Sequence, residues 1–133
     1  MKYLFDTDTI IYWLKGHEKI EEKAISTGLE NIGFSIISLA KLYFGAYNSE
    51  YVKKNLKNVR KVSETISMVN FDDHAAENFG KIKADLTKSG NVIPDADILI
   101  AAVVTANDLT LVTNNTSHFQ RIPGLKIENW ILP

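Results

Sequence analysis

Short apolar segments that favour β-strands alternate along this chain with longer segments that favour helices. Alternation of this kind requires crossover connections, which make neighbouring strands parallel and cover both faces of the sheet with helices. The chain is therefore predicted to form an α/β fold with a mostly parallel central sheet. The predicted strands are Lys2–Phe5, Ile32–Ile37, Ser67–Phe71, Leu109–Thr113 and a short segment within Leu125–Trp130.

Turn and capping signals divide the intervening sequence into helices. Ser38 and Asp73 are typical N-cap residues, and Gly16, Gly28 and Gly90 are typical of helix ends. The predicted helices are Thr9–Lys15, Glu18–Ser26, a helix from Ser38 to Tyr47, Glu50–Ile66, Asp73–Lys88 and Asp95–Asn107.

Length and composition limit the classes of protein to which the chain can belong. Its 133 residues are enough for one domain, predicted to span 1–133. The net charge of −1 provides no overall basic field, so contact with nucleic acid would need a local patch. The absence of cysteine excludes disulfides and fits a reducing cytoplasm. No segment has the features of a signal peptide or a membrane span, so we expect a cytoplasmic protein.

Polar side chains directly follow three of the predicted strands, at the sheet edge where α/β proteins place their sites. Asp6 ends the first strand, where a buried carboxylate needs a partner or a metal ion. Asp97 precedes the strongly apolar sequence ILIAAVV. Two such carboxylates suit Mg²⁺, which prefers oxygen ligands and keeps several waters. Asp8 and Asp95, taken alone, are as typical of helix N-caps.

The stretch YLFDTDTII resembles the first motif of haloacid-dehalogenase-type phosphatases. That resemblance implies a nucleophilic Asp6 and an acid/base Asp8. However, the late carboxylates Asp95 and Asp97 precede a helix, whereas the phosphatase family has an apolar strand that leads into its late acids.

A second resemblance covers almost the whole chain. MKYLFDTDTIIYWLKG, FSIISLAKLYFGAYNS, FDDHAAENFGKIKADLTKSGNVIPDADILIAAVV and LTLVTNNTSHFQRIPGLKIENW resemble, in order, four segments of PIN-domain toxins of the VapC type. The resemblance implies a PIN-like three-layer sandwich and an endoribonuclease that uses Mg²⁺ or Mn²⁺. It also implies a homodimer, a VapB-like cognate antitoxin that blocks the site, and structured RNA such as tRNA as the target.

Individual residues match the PIN family unevenly. The resemblance places Asp6 and Asp97 at the first and third acidic positions, as metal ligands. It gives Thr113, Asn114 and Asn115 the role of supporting the ligands or the attacking water. His118 stands at the variable fourth acidic position, and Lys41 stands where the family has its second acid, a glutamate.

Lys41 departs from the family pattern in a way that changes the expected chemistry of metal binding. An ammonium group cannot bind Mg²⁺, although it can neutralise neighbouring carboxylates such as Asp6 and Asp97. If Ser38 is the N-cap, Lys41 occupies the third helical position, where a glutamate would complete a capping box. Three explanations remain: an inactivated toxin, a naturally degenerate member, or replacement of the missing ligand by Asp8 or Asp95. We expect weak metal binding and little ribonuclease activity; a catalytically dead antitoxin-binding module is the alternative.

A basic stretch, YVKKNLKNVRK, supplies a local patch for RNA. At helical spacing its basic residues share a broad face, which is typical either of a solvated helix or of phosphate contact. The candidate RNA-binding residues are Lys53, Lys57, Arg60, Lys61 and, near the end of the chain, Arg121.

Overall fold

The computed structural model describes residues 1–132. Its strands are β1 (Tyr3–Phe5), β2 (Ile32–Ser35), β3 (Ser67–Val69), β4 (Thr110–Val112) and β5 (Ile127–Glu128). Its helices are α1 (Thr7–Leu14), α2 (Glu18–Thr27), α3 (Ile36–Tyr47), α4 (Val52–Thr65), α5 (Asp73–Ser89), α6 (Asp95–Ala106) and α7 (Thr116–Phe119), with a 3₁₀ turn at Leu29–Asn31.

The five strands form one sheet in the order β3-β2-β1-β4-β5, and each of the four pairings is parallel. β1 lies at the centre, with Phe5 opposite Phe34 of β2 and Val112 of β4. The predicted α/β fold with a parallel sheet is therefore confirmed. The central place of β1 matters for function, because it brings the ends of β2 and β4 to either side of Asp6.

Alternate residues of the central strands pack into two separate cores. Leu4 and Leu111 are fully buried on the face covered by α5 and α6. Phe5 and Val112 are fully buried on the other face, against α1, α2, α3 and α4. Each such side chain contributes about 1.5–3 kcal/mol through removal from water. The molecule is thus a three-layer sandwich, as expected.

Two helices begin earlier than the sequence suggested. The N-cap of α3 is Ser35, whose Oγ accepts a hydrogen bond from the backbone N–H of Ser38 at 3.1 Å, so the prediction of Ser38 as the cap was wrong. Asp72, not Asp73, caps α5 by accepting from the N–H of Ala75. Lys41 is consequently the sixth residue of α3 and does not occupy a capping-box position.

The first helix follows its strand without a loop. α1 begins at Thr7, two residues before the predicted start, and α7 was not predicted at all.

No helix within residues 1–132 has the length and apolar character needed to cross a membrane.

Candidate functional site

The carboxyl ends of β1, β2 and β4 lie side by side, and a polar group follows each of them. Asp6 follows β1, Ser35 ends β2 and Thr113 follows β4. All three side chains are buried, with exposed fractions of 4%, 0% and 1% respectively. Because polar groups at this depth need partners, their hydrogen bonds define the site.

Asp6 joins the sheet to the first helix. Its carboxylate caps α1 by accepting from the N–H of Thr7 at 2.8 Å through Oδ1. Oδ2 accepts from the hydroxyl of Thr113, also at 2.8 Å. Its own N–H donates to the carbonyl of Val112 at 2.9 Å. The side chain is therefore held in one orientation by groups from both β1 and β4.

The environment of Asp6 disfavours a negative charge. Burial, the largest cause, and the neighbouring carboxylates of Asp8 and Asp97 together raise the pKa of this carboxyl from 3.8 to about 7. Hydrogen bonds from Thr113 and Thr7 act in the opposite direction. A group of this kind becomes fully anionic near neutral pH when a cation compensates its charge.

Three carboxylates are held by one short stretch of chain, which we call the 113–118 segment. The hydroxyl of Thr113 donates to Asp6, and the backbone N–H of Asn114 donates to Oδ2 of Asp8 at 3.1 Å. Nδ1 of His118 lies 2.8 Å from Oδ2 of Asp97. The segment therefore brings together carboxylates from the end of β1, the first turn of α1 and the first turn of α6.

His118 makes its contact with Asp97 in a half-buried position. An ionised carboxylate only accepts hydrogen bonds, so Nδ1 carries the ring proton in this contact. Asn115 stabilises the same turn, because its N–H donates to the Thr113 hydroxyl at 2.9 Å. Its side-chain Nδ2 also lies 2.9 Å from Nδ1 of His118, but a protonated Nδ1 cannot accept a hydrogen bond from it. The expected proximity of Asp97, Asn115 and His118 is thus present in the structure.

Asp8 and Asp95 differ in their surroundings. Asp8 is the second residue of α1 and does not cap it, so that interpretation was wrong. It is half-buried and bonded to the 113–118 segment. Asp95 is exposed and forms an ion pair with Lys83 of α5 at 3.0 Å. Asp8 is therefore the better placed of the two to act with Asp6.

The amino-acid sequence of the chain matches known proteins along nearly its whole length. The PIN domain family model matches residues 3–125. Ribonuclease VapC2 of Haemophilus influenzae is 34% identical over 131 residues, which cover 98% of this chain and 99% of that protein. The chain belongs to the PIN-domain family.

Other comparisons agree with this assignment. The tRNA(fMet)-specific endonuclease VapC of Salmonella typhimurium is 31% identical over 98% of both chains. The DNA-bound VapBC structure from Salmonella typhimurium superposes with a TM-score of 0.93 at 33% identity, covering 98% of each chain. The VapBC-1 structure from nontypeable Haemophilus influenzae gives 0.89 at 29% identity, covering 99% of this chain and 100% of that one. The chain is therefore similar to VapC-type PIN proteins in both sequence and fold.

PIN-domain nucleases generally depend on divalent metal ions, for which carboxylate oxygens are suitable ligands. No three His, Asp or Glu side chains within residues 1–132 form a ready metal-binding group. Asp6 and Asp97 nevertheless interact electrostatically, and Asp8 interacts with Asp6. These carboxylates fit an ion that keeps most of its waters, as Mg²⁺ commonly does, and they do not form a closed protein cage.

Lys41, which the resemblance places at the position of the PIN-family glutamate, is exposed on α3 one turn beyond Ser38. It makes no ion pair with any residue that the structure describes. The suggestion that Lys41 neutralises Asp6 and Asp97 is therefore not supported. Lys41 faces a groove together with Lys15 of α1.

Sequence reasoning missed the threonines around Asp8. The hydroxyl of Thr7 donates to Oγ of Ser38 at 2.9 Å, which connects α1 to α3. The hydroxyl of Thr9 donates to the carbonyl of Val112 at 2.9 Å, which connects α1 to β4. The only signal in the sequence was the DTDT repeat at the end of an apolar strand.

The basic residues of the predicted RNA surface are solvent-exposed. Lys53, Lys57, Arg60 and Lys61 lie on α4. The guanidinium of Arg121 donates to the carbonyl of Val92 at 3.1 Å. Within the described chain, none of these five side chains forms an ion pair with a carboxylate of the site.

Proposed function

We propose that this chain, as a single PIN domain over residues 1–133, is the toxin of a type II toxin–antitoxin pair and cleaves RNA with Mg²⁺ or Mn²⁺. The observation that carries the proposal is the attachment of Asp6, Asp8 and Asp97 to the 113–118 segment. Three carboxylates at one sheet edge suit a divalent cation better than any purely structural purpose, because together they raise the energy of the metal-free fold.

Asp6 and Asp97 are the proposed ligands, and Asp8 is the candidate for the missing third carboxylate. When bound, a divalent ion orients water and offsets the negative charge that develops on the phosphate. Thr113 positions Asp6 by donating to Oδ2, and Asn115 positions Thr113 by donating to its hydroxyl oxygen. His118 holds Asp97 through Nδ1. These side chains fix the acids before substrate arrives, which reduces reorganisation during the reaction.

The substrate we propose is structured RNA such as tRNA. The Salmonella typhimurium relative bears the name tRNA(fMet)-specific endonuclease. The exposed basic residues of α4 supply phosphate contacts, and Arg121 is a second candidate. We further propose a VapB-like antitoxin as the inhibiting partner, a homodimer as the functional form, and the cytoplasm as the location.

Activity in this chain is proposed to be weak because Lys41 replaces a carboxylate. Mn²⁺ is titrated calorimetrically into the natural chain, Lys41→Glu and the neutral control Lys41→Gln, and RNA cleavage is measured for each. We expect tighter binding and faster cleavage for Lys41→Glu alone. Equal binding and cleavage by all three proteins would contradict a role for position 41.

The same experiment separates the nuclease from the alternative of a catalytically dead antitoxin-binding module. Metal-dependent cleavage by the natural chain supports the nuclease. Antitoxin binding without cleavage, even at saturating Mn²⁺, supports the module. Membership of the PIN family favours either of these over the phosphatase that YLFDTDTII suggested. Only a phospho-aspartate trapped at Asp6 would support the phosphatase.

A further inference from the structure

His118 lies at the edge of the carboxylate site with one ring nitrogen engaged and the other free. Its close polar contacts, with Oδ2 of Asp97 at 2.8 Å and with Nδ2 of Asn115 at 2.9 Å, both lie at Nδ1. The side chain is 35% exposed. Within residues 1–132 the one buried side-chain polar atom without a hydrogen-bond partner is Nδ1 of His17. Nε2 of His118, which makes no hydrogen bond there, is therefore open to solvent.

The surrounding structure holds this ring in place. Phe119, the next residue, is fully buried in the core on the face covered by α5 and α6. The N–H of Gln120 donates to the carbonyl of Thr116 at 2.9 Å and so closes α7. Nδ1 donates to Asp97, a carboxylate that is only 7% exposed, and this contact fixes the rotation of the ring. A ligand that binds Nε2 consequently does not have to order the side chain first.

The hydrogen-bonding capacity of Nε2 limits what this position can recognise. While Nδ1 donates to Asp97, Nε2 of the neutral ring is an acceptor, and it is a donor when the ring is protonated. A phosphate oxygen only accepts, and the amino group of a base only donates. A hydroxyl group does both, so it matches Nε2 in either form of the ring. The chemistry therefore favours a hydroxyl, whatever the charge of His118.

The hydroxyl that distinguishes RNA from DNA is the ribose 2′-OH. A divalent ion on Asp6 and Asp97 would bind a phosphate of the backbone, and each such phosphate is bonded to two sugars. Oδ1 of Asp97 makes no hydrogen bond within the described residues, so it remains available to the ion while Oδ2 accepts from His118. A side chain that is hydrogen-bonded to a metal ligand faces the sugar–phosphate backbone, whereas the bases project away from it.

We propose that Nε2 of His118 hydrogen-bonds to a ribose 2′-OH next to the phosphate at the carboxylate site, and that this contact makes the chain select RNA over DNA. The inference rests on the proposed nuclease function. Neither the carboxylates nor the basic face of α4 can make this distinction, because metal ions and lysines contact phosphates, which RNA and DNA share. His118 thus determines specificity, and no proton transfer through it is required.

The test compares RNA and DNA binding by the natural chain and by two variants that separate the ring nitrogens. His118→Asn keeps an amide N–H near the position of Nδ1, where it can donate to Asp97, and removes Nε2. His118→Gln places its amide farther out, near the position of Nε2. The probes are an RNA hairpin with a single-stranded loop and a DNA hairpin of the same sequence. Fluorescence anisotropy measures both affinities in Ca²⁺ at one salt concentration, because backbone binding depends on ionic strength.

We expect the natural chain to bind the RNA hairpin about tenfold more tightly than the DNA hairpin. His118→Asn should lose most of this preference by weakening RNA binding alone, and His118→Gln should keep part of it. The control His74→Asn makes the same change at an exposed histidine of α5 and should behave like the natural chain.

Changes in the RNA provide a second test, which begins with the natural chain alone. Single 2′-deoxy substitutions are introduced along the loop of the RNA hairpin. At one position the substitution should weaken binding to the natural chain about tenfold. The same substitution should change binding to His118→Asn by less than about twofold, because both changes remove the same hydrogen bond.

The outcomes distinguish the inference from the function on which it rests. If the natural chain binds neither hairpin and cleaves no tRNA at saturating Mn²⁺, the proposed nuclease function fails. If it binds RNA without preference over DNA, or if His118→Asn keeps the full preference, the selection role is overturned and the nuclease function stands. Equal weakening of RNA and DNA binding by His118→Asn also overturns the selection role, because the ring then contacts a group that both share. A deoxy effect of equal size in both proteins assigns the 2′-OH to another residue, with the same consequence.

Discussion

Thr113 donates a 2.8 Å hydrogen bond from Oγ1 to Oδ2 of Asp6, and so joins two residues that are 107 positions apart. Both side chains are almost completely buried, at 1% and 4% exposed. The same hydroxyl accepts the N–H of Asn115. One hydroxyl thereby fixes both the central carboxylate and the turn that holds the other two.

Replacement of Thr113 by valine should destabilise the protein and weaken metal binding. The change leaves Asp6 Oδ2 and the Asn115 N–H without their partner, at a cost of about 1–3 kcal/mol. It also removes a hydrogen bond that lowers the pKa of Asp6. Urea unfolding and Mn²⁺ calorimetry at pH 8 measure the two effects. Thr113→Ser keeps the hydroxyl and is the control; equal loss in both variants would assign the effect to packing.

Stability of the metal-free protein should depend on pH through Asp6. The folded-state pKa of about 7 lies above the unfolded value of 3.8, so the folded state binds the proton more tightly. The resulting stability is fully present below pH 3.8 and is lost as pH rises to about 7. In Asp6→Asn this loss is absent. The advantage of Asp6→Asn over the natural chain should therefore grow by about 2–4 kcal/mol between pH 4 and pH 8 in urea unfolding. A pH-independent difference would contradict the raised pKa.

Mn²⁺ affinity should increase as pH rises through about 7, because Asp6 must lose its proton to bind a cation. In Asp8→Asn the increase should occur at lower pH, since the neighbouring carboxylate that raises the pKa of Asp6 is gone. If Asp8 also serves as a ligand, the affinity at pH 8.5 falls as well. Asp95→Asn, on the exposed ion pair with Lys83, should change neither property. The same effect from both substitutions would exclude a special role for Asp8.

Loss of the basic face of α4 should weaken RNA binding across sequences. In the triple alanine variant of Lys53, Lys57 and Lys61, the slope of log affinity against log salt should fall by about 2. Filter binding in Mg²⁺-free buffer measures this without cleavage. The alanine variant of Lys81, Lys83 and Lys88 on α5 carries the same charge change. Equal weakening by both variants would assign the effect to net charge.

Much of the site was predictable because the decisive signals are local. Asp6 ends an apolar strand and Asp97 precedes an apolar helix, and both are buried, with exposed fractions of 4% and 7%. The polar residues after β4 were also recognised from their place in the sequence. The start of α3 was misplaced, because Ser35 and Ser38 flank the same two isoleucines and either can cap a helix. The backbone conformation of Ser35, which is extended, decides between them.

The sequence by itself determined the alternation of strands and helices, the parallel sheet and the two carboxylates at the core, because periodicity and burial act over a few residues. Only the tertiary structure decided which acids act together. Asp8 meets Asn114 because β1 pairs with β4 across more than a hundred residues. His118 meets Asp97 because α7 packs against α6. It also decided that Lys41 lines a groove with Lys15 and forms no ion pair with a described acid, since its surroundings depend on how α3 packs against α1 and α4.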